Sequence, residues 1–253
     1  MAKHFGRVLS AQPKLLDAHI ITVEADYTHG LHSFSIVGLP DKAVEESRDR
    51  VGAALKHSGF SSPKHSNKKV VVSLAPASVK KEGALFDVPI ALAYLLAAEE
   101  IAFDPKQKLF IGELSLDGTA QPVHGIIPIV RTAQAMGIQE VFVPIANVDE
   151  ALLVGGITVY GFENLRDLVL HINQKPIEDS ELRHGKILKR AEKKHAVNIP
   201  EREHYGTLDD IQDQSRAKRG LTIAAAGGHN IAFFGPPGTG KTMLAHALSS
   251  ILP

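Results

Sequence analysis

The sequence predicts an α/β protein: one large domain of mixed strands and helices, followed by the opening of a second domain. Three observations carry that expectation. Residues 7 to about 172 alternate between β-rich and helical runs. The composition turns abruptly to charge at Gln174. A glycine-rich loop, "GPPGTGKT" at 235–242, stands between an apolar run and an amphipathic one.

"HIITVEADY" and "HSFSIVGLP" are strands, rich in β-branched and aromatic residues and parted by the turn "THGLH". "DKAVEESRDRVGAALKHSGF" is a helix. Asp41 can cap its start, Val44, Val51, Ala54 and Leu55 share one face, and Gly59 ends it. "KKVVVSLAP" is a buried strand, and "DVPIALAYLLAAEE" a mostly buried helix with Pro89 in its first turn. "KLFIGELSLDG" has the pattern of a hairpin arm, and "GIIPIVRTAQAMG" that of a helix. The strand "EVFVP", the short helix "NVDEALLVG", the strand "TVYGF" and the helix "NLRDLVLHIN" complete the domain.

From Gln174 the chain is poor in large apolar residues and bracketed by Pro176 and Pro200, as an interdomain linker would be. One charged helix, "HGKILKRAEKKHA", is expected inside it. Its basic cluster, Lys186, Lys189, Arg190, Lys193 and Lys194, has the pattern of a solvated helix face more than of a phosphate contact. From Thr207 a helix, a turn at "GGHN", the apolar strand "IAFF", the glycine loop and a second helix follow.

The 253 residues are 44% hydrophobic and 22% charged, the usage of an ordinary globular chain with an adequate core. Cysteine is absent, which excludes disulfides, thiol catalysis and thiolate metal sites and suits a reducing compartment. "MAKHFGRVLSAQ" has no signal-peptide core, and "DVPIALAYLLAA" falls far short of the ~20 apolar residues that cross a bilayer. The expected location is therefore the cytoplasm, with no membrane partner. A net charge of zero gives the whole chain no electrostatic case for nucleic acid. His29 and His32 in "HGLH" fall short of a metal ligand set.

The loop carries the chemistry. Gly235, Gly240, Lys241 and Thr242 meet the G-x-x-x-x-G-K-[ST] pattern, with Pro236, Pro237, Gly238 and Thr239 between them. Polyphosphate is a dense anion, and glycines let backbone N–H groups wrap it with no Cβ in the way. A helix starting near Lys241 adds its positive end. In this pattern Lys241 neutralises the β- and γ-phosphates of ATP, and the Thr242 hydroxyl is the Mg²⁺ ligand.

Longer segments then resemble a known family. "LDDIQDQSRAKRGLTIAAAGGHNIAFFGPPGTGKTMLAHALSSILP" is similar to the opening of the AAA+ module in the magnesium chelatase ChlI group, in particular the bacterial YifB/ComM proteins. "TVEADYTHGLHSFSIVGLPDKAVEESRDRVGAAL", "VVSLAPASVKKEGALFDVPIALA" and "GELSLDGTAQPVHGIIP" resemble that family's N-terminal domain, so the likeness covers nearly the whole chain. It implies a Lon-protease-like (ribosomal protein S5 domain 2-like) domain over 1–173, a linker over 174–206 and a truncated P-loop AAA+ domain over 207–253. It also implies ATP and Mg²⁺ as cofactors, a homo-oligomer that is a hexameric ring at full length, and DNA as a partner for a remodelling or branch-migration motor. Porphyrin chemistry is not implied. The family's acidic Walker B pair, sensor and arginine finger lie beyond its phosphate loop. The expectation is thus the N-terminal part of a longer ATPase, with weak or no turnover of its own.

Lon-like proteases use a Ser–Lys dyad, in which a desolvated amine takes the proton of the hydroxyl. "VKKEGALFD" places Leu85 where the Ser would stand, and "PVHGIIPI" places Ile127 where the Lys would stand. Neither aliphatic side chain transfers a proton, and the spacing of nearby Ser78, Lys80 and Lys81 does not fit. An ATP-dependent protease is the alternative that these positions oppose; a non-enzymatic interaction module is the other. The basic, Ser-rich stretch from Lys56 to Lys69 has the pattern of a solvated loop, with nucleic-acid phosphates as the sharper alternative.

Overall fold

The computed structural model describes residues 4–31, 33–63, 68–174, 187–192 and 207–252. The chain divides into two compact units, Met1–Lys193 and Lys194–Pro253.

Strand β1 (Phe5–Lys14) and β2 (Asp17–His29) form a long antiparallel hairpin, Phe5 opposite Asp26 through Lys14 opposite Asp17. With β3 (Ser33–Val37), β4 (Lys68–Ala75), β5 (Lys108–Phe110), β8 (Glu140–Pro144) and β9 (Thr158–Phe162) they build a seven-stranded sheet of order β3-β4-β2-β1-β5-β8-β9. The β1–β2 and β2–β4 pairs are antiparallel and the other four parallel. This is the α/β class that the sequence predicts. In β4 the alternation is plain: Val70, Val72 and Leu74 are fully buried, and the residues between them are half-buried.

Helix α1 (Lys42–His57) begins where the Asp41 carboxylate accepts from the Val44 amide at 2.8 Å. Helix α2 (Asp87–Ala97) is apolar on nearly every side and almost wholly buried, as a helix in the middle of a core must be. It lies so close to β1 that a Cβ at Gly6 would meet the Ala93 carbonyl at 2.1 Å. Arg50 of α1 forks onto fully buried Asp87 at 2.8 and 3.0 Å, and the Leu114 amide adds a third bond at 3.1 Å. Burial pushes the Asp87 carboxyl up, with the bonds from Arg50 opposing it.

"KLFIGELSLDG" divides in two. Lys108–Phe110 enters the main sheet as β5, and only β6 (Glu113–Leu114) forms a small hairpin, with β7 (Ala120–Gln121). Helices α3 (Ile126–Ala135), α4 (Val148–Leu152) and α5 (Leu165–Ile172) follow where the sequence predicts helices.

Residues 187–192 correct the expected charged helix. They form no helix and touch β9 instead, with Tyr160 bridged to Arg190 and the Ala191 amide bonded to the Val159 carbonyl at 2.9 Å. Leu188 and Ala191 pack against the core, and the free edge of β9 outweighs the helical propensity of the run. Residues 175–186 and 193–206, with Lys186, Lys193 and Lys194, lie outside the described residues.

In the second unit a 3₁₀ turn (Leu208–Asp210), α6 (Ser215–Gly227) and α7 (Lys241–Ile251) enclose a small core of Ile211, Leu221, Leu244 and Ala247. The turn "GGHN" closes α6 with a left-handed Gly228 at φ 61°. The His229 amide bonds to the Ala224 carbonyl at 2.9 Å and the Gly228 amide to the Ala225 carbonyl at 3.5 Å. The strand expected at "IAFF", residues 231–234, is not formed. A strand exists only through a ladder to a neighbour, and the described residues of this unit hold no second strand; Phe234 is 95% exposed.

Candidate nucleotide-phosphate site

Helix α7 starts at Lys241 because Gly240, at φ 78°, turns the chain into it, and no side chain caps its first amides. Gly238 also lies in the left-handed region, at φ 81°. A Cβ at either glycine would meet nothing within 4 Å, so the demand there is for backbone freedom rather than for space. The two glycines curl Gly235–Thr239 into an exposed loop in front of the helix N-terminus.

The loop closes around its own lysine. The Lys241 ammonium donates to the carbonyls of Gly235 at 2.9 Å and Pro236 at 2.6 Å, and lies 3.5 Å from the Thr239 hydroxyl. That hydroxyl donates in turn to the Pro236 carbonyl at 3.0 Å. Thr242 follows as an exposed residue in the first turn of α7. Residues 235–242 therefore come together at one place: a cation, three uncapped first-turn amides and a hydroxyl on one exposed rim. This donor set suits a polyphosphate, and among these residues there is no carboxylate to repel one. The part played by Thr239 and by the carbonyls of Gly235 and Pro236 is invisible in the motif, which fixes residue types and not where the lysine rests.

The dyad positions of the first unit are apolar in space as in sequence. Leu85 is 9% exposed in the core, whereas Ile127 lies at the start of α3, 39% exposed. Ser78 is exposed. The two neighbouring lysines part company: Lys80 is exposed and paired with Glu82 at 3.1 Å, while Lys81 is fully buried. The Lys81 ammonium donates to the carbonyl of Gly38 at 2.8 Å and to that of Pro76, and its main chain bonds to Leu39 and Asp41. Burial lowers its pKa. Nothing in "VKKEG" separates the two lysines; only the fold does.

His32 and the side chain of His29 lie outside the described structure, as do residues 64–67 of the basic loop. Lys68, at that loop's end, sits 4.1 Å over the Tyr27 ring. Among the described residues no group of acidic and histidine side chains could hold a metal ion, and no helix is long and apolar enough to cross a membrane.

Comparison with known proteins finds two family matches in the chain. Residues 23–147 match the family profile of subunit ChlI of Mg-chelatase, and residues 207–253 match that of magnesium chelatase, subunit ChlI. Competence protein ComM of Haemophilus influenzae is 41% identical over 242 residues, which cover 94% of this chain and 45% of that protein. The chain belongs to the magnesium chelatase-like family of ComM and YifB. An uncharacterized protein of Mycobacterium tuberculosis is 39% identical over 98% of the chain and 46% of its own length. YifB of Escherichia coli, also uncharacterized, is 37% identical over 94% of the chain and 44% of its own length. The chain thus spans about half the length of the curated relatives it matches. Both family matches fall on described elements: the first on β2 through the turn after β8, the second on α6, the loop and α7.

Proposed function

We propose that residues 235–242 bind the polyphosphate of ATP with Mg²⁺, and that the full-length protein is an AAA+ ATPase acting as an oligomeric ring. The observation that carries this reading is Lys241, whose ammonium is held in the mouth of the loop by neutral oxygens, two carbonyls and the Thr239 hydroxyl. A phosphate entering the loop replaces those neutral acceptors with charged ones, which make hydrogen bonds roughly twice as strong. The first-turn amides of α7 take the remaining phosphate oxygens, and the Thr242 hydroxyl takes the metal. When bound, ATP supplies the phosphoanhydride whose hydrolysis powers a motor. The family likeness supports DNA as the substrate of that motor, and one relative carries the name competence protein. Peptide hydrolysis draws no support, since positions 85 and 127 hold leucine and isoleucine.

The test is titration of a fluorescent ATP analogue into the purified chain with and without Mg²⁺. Saturable binding, competed by ATP and lost in Lys241→Ala with an unchanged circular dichroism spectrum, is the expected result. No saturable binding by the wild-type chain sinks the reading.

A further inference from the structure

We propose that the outer edge of β3 and the groove beside it receive an extended, lysine- or arginine-bearing peptide segment of another protein, which joins the sheet as a further strand. This surface lies in the first unit, and the inference does not rest on nucleotide binding.

The sheet is open at β3. That strand pairs in parallel with β4, and among the described residues nothing forms a ladder along its other edge. A row of amides and carbonyls without a neighbour is a template for another strand, and natural sheets guard such an edge with lysine, proline or a bulge. β3 reads Ser33-Phe34-Ser35-Ile36-Val37 and holds neither a charge nor a proline. Alternation divides its side chains between two faces. Phe34 stands beside Val70 and Ile36 beside Val72, both fully buried, so these two turn to the face that carries α1.

Helix α1 runs alongside without covering the edge. Between the two lies a groove of about 410 Å³, lined on the strand side by Phe34, Ser35 and Ile36 and on the helix side by charged residues of α1. The volume falls in the ~300–1,000 Å³ range of binding pockets. Of the charged residues, Arg48 and Asp49 pair with each other at 3.4 Å. Among the rest, Glu45 and Glu46, both exposed, outweigh Lys42 and make the wall acidic.

Two features then fix the chemistry of the occupant. An open strand edge recognises main chain, so the occupant is an extended peptide rather than a small solute. The groove joins an apolar floor to an acidic wall, and a lysine or arginine side chain satisfies both. Its methylene stem covers Phe34 and Ile36 while its cation reaches the carboxylates. A nucleic acid would bring phosphates against Glu45 and Glu46, which repel them.

The test uses a short fluorescein-labelled peptide alternating lysine and valine, a counterpart alternating glutamate and valine, and the lysine peptide N-methylated at every amide, which cannot form a ladder. In anisotropy titrations the wild-type chain should bind the lysine peptide saturably and the glutamate peptide at least about tenfold more weakly. Glu45→Lys with Glu46→Lys should exchange the two preferences, with an unchanged circular dichroism spectrum. N-methylation should abolish binding, and amide exchange within Ser33–Val37 should slow in the complex. Absence of saturable binding of the lysine peptide by the wild-type chain overturns the proposal. Binding that survives N-methylation, a preference that the charge reversal leaves in place, or protection confined to other residues overturns it equally, as does self-association through β3 that the peptide fails to compete.

Discussion

Lys81 in the first unit and Lys241 in the second adopt the same posture: each ammonium donates to two main-chain carbonyls. What differs is the surroundings. Lys81 is fully buried among α1, β3 and β4, the elements its partners join, and no solute reaches it. Lys241 stands at the rim of an exposed glycine loop, where the proposed function has phosphate oxygens replace the same carbonyls. The first lysine is a bolt, and the second is the proposed receptor. Hydrogen-bond geometry alone does not tell them apart; solvent access does.

Four experiments break or sharpen that contrast. The largest effect falls on the fold: Lys81→Met should cost about 2–4 kcal/mol in urea unfolding, since two buried carbonyls lose their partner. Nucleotide binding should not change; if instead stability holds and binding falls, the assignment of roles is reversed. Lys241→Ala should do the opposite, weakening ATP analogue binding by about 10- to 100-fold, the loss of charge-assisted bonds of about 1.5–3 kcal/mol, with the unfolding midpoint unmoved. A smaller change is expected from Gly240→Ala. The φ of 78° is strained for alanine by about 1 kcal/mol, so binding should drop about fivefold by calorimetry although the space around the Cβ is empty.

The smallest effect is a pH dependence. Burial lowers the folded-state pKa of Lys81 below the ordinary 10.5. Between the two values the unfolded chain binds more protons than the folded one, so this lysine's contribution to stability rises with pH across that window. Below the lowered value the penalty for burying the charge is complete and constant. Unfolding free energies of wild type and Lys81→Met, compared from neutral pH up to 10.5, should show this slope in the wild type only. Equal slopes would mean that the amine is solvated after all.

Most of the first unit is legible in one dimension because its elements announce themselves locally. The cap at Asp41, the one-sided apolar positions of α1 and the alternation in β4 all follow from neighbours along the chain. β1 is harder to see: the residues it buries include Gly6, Ser10 and Ala11, which no hydropathy pattern marks. The glycine loop at 235–242 is legible residue by residue as a motif, and the phosphate site proposed for it rests on that spacing. "IAFF" has a strand's composition and no strand's partner, and residues 187–192 have a helix's composition and a strand's partner.

The sequence by itself determined the α/β class, the family, the helix cap at Asp41 and the glycine-lysine motif on which the proposed phosphate site rests. Each depends on side chains only a few positions apart, or on a motif whose spacing is its chemistry. Tertiary structure alone decided which of two adjacent lysines is buried, that residues 187–192 lie against β9, and that among the described residues "IAFF" finds no strand to pair with. Those outcomes depend on which distant segments meet. A ladder partner or a buried carbonyl supplied from far along the chain outweighs the few tenths of a kcal/mol by which local propensities differ.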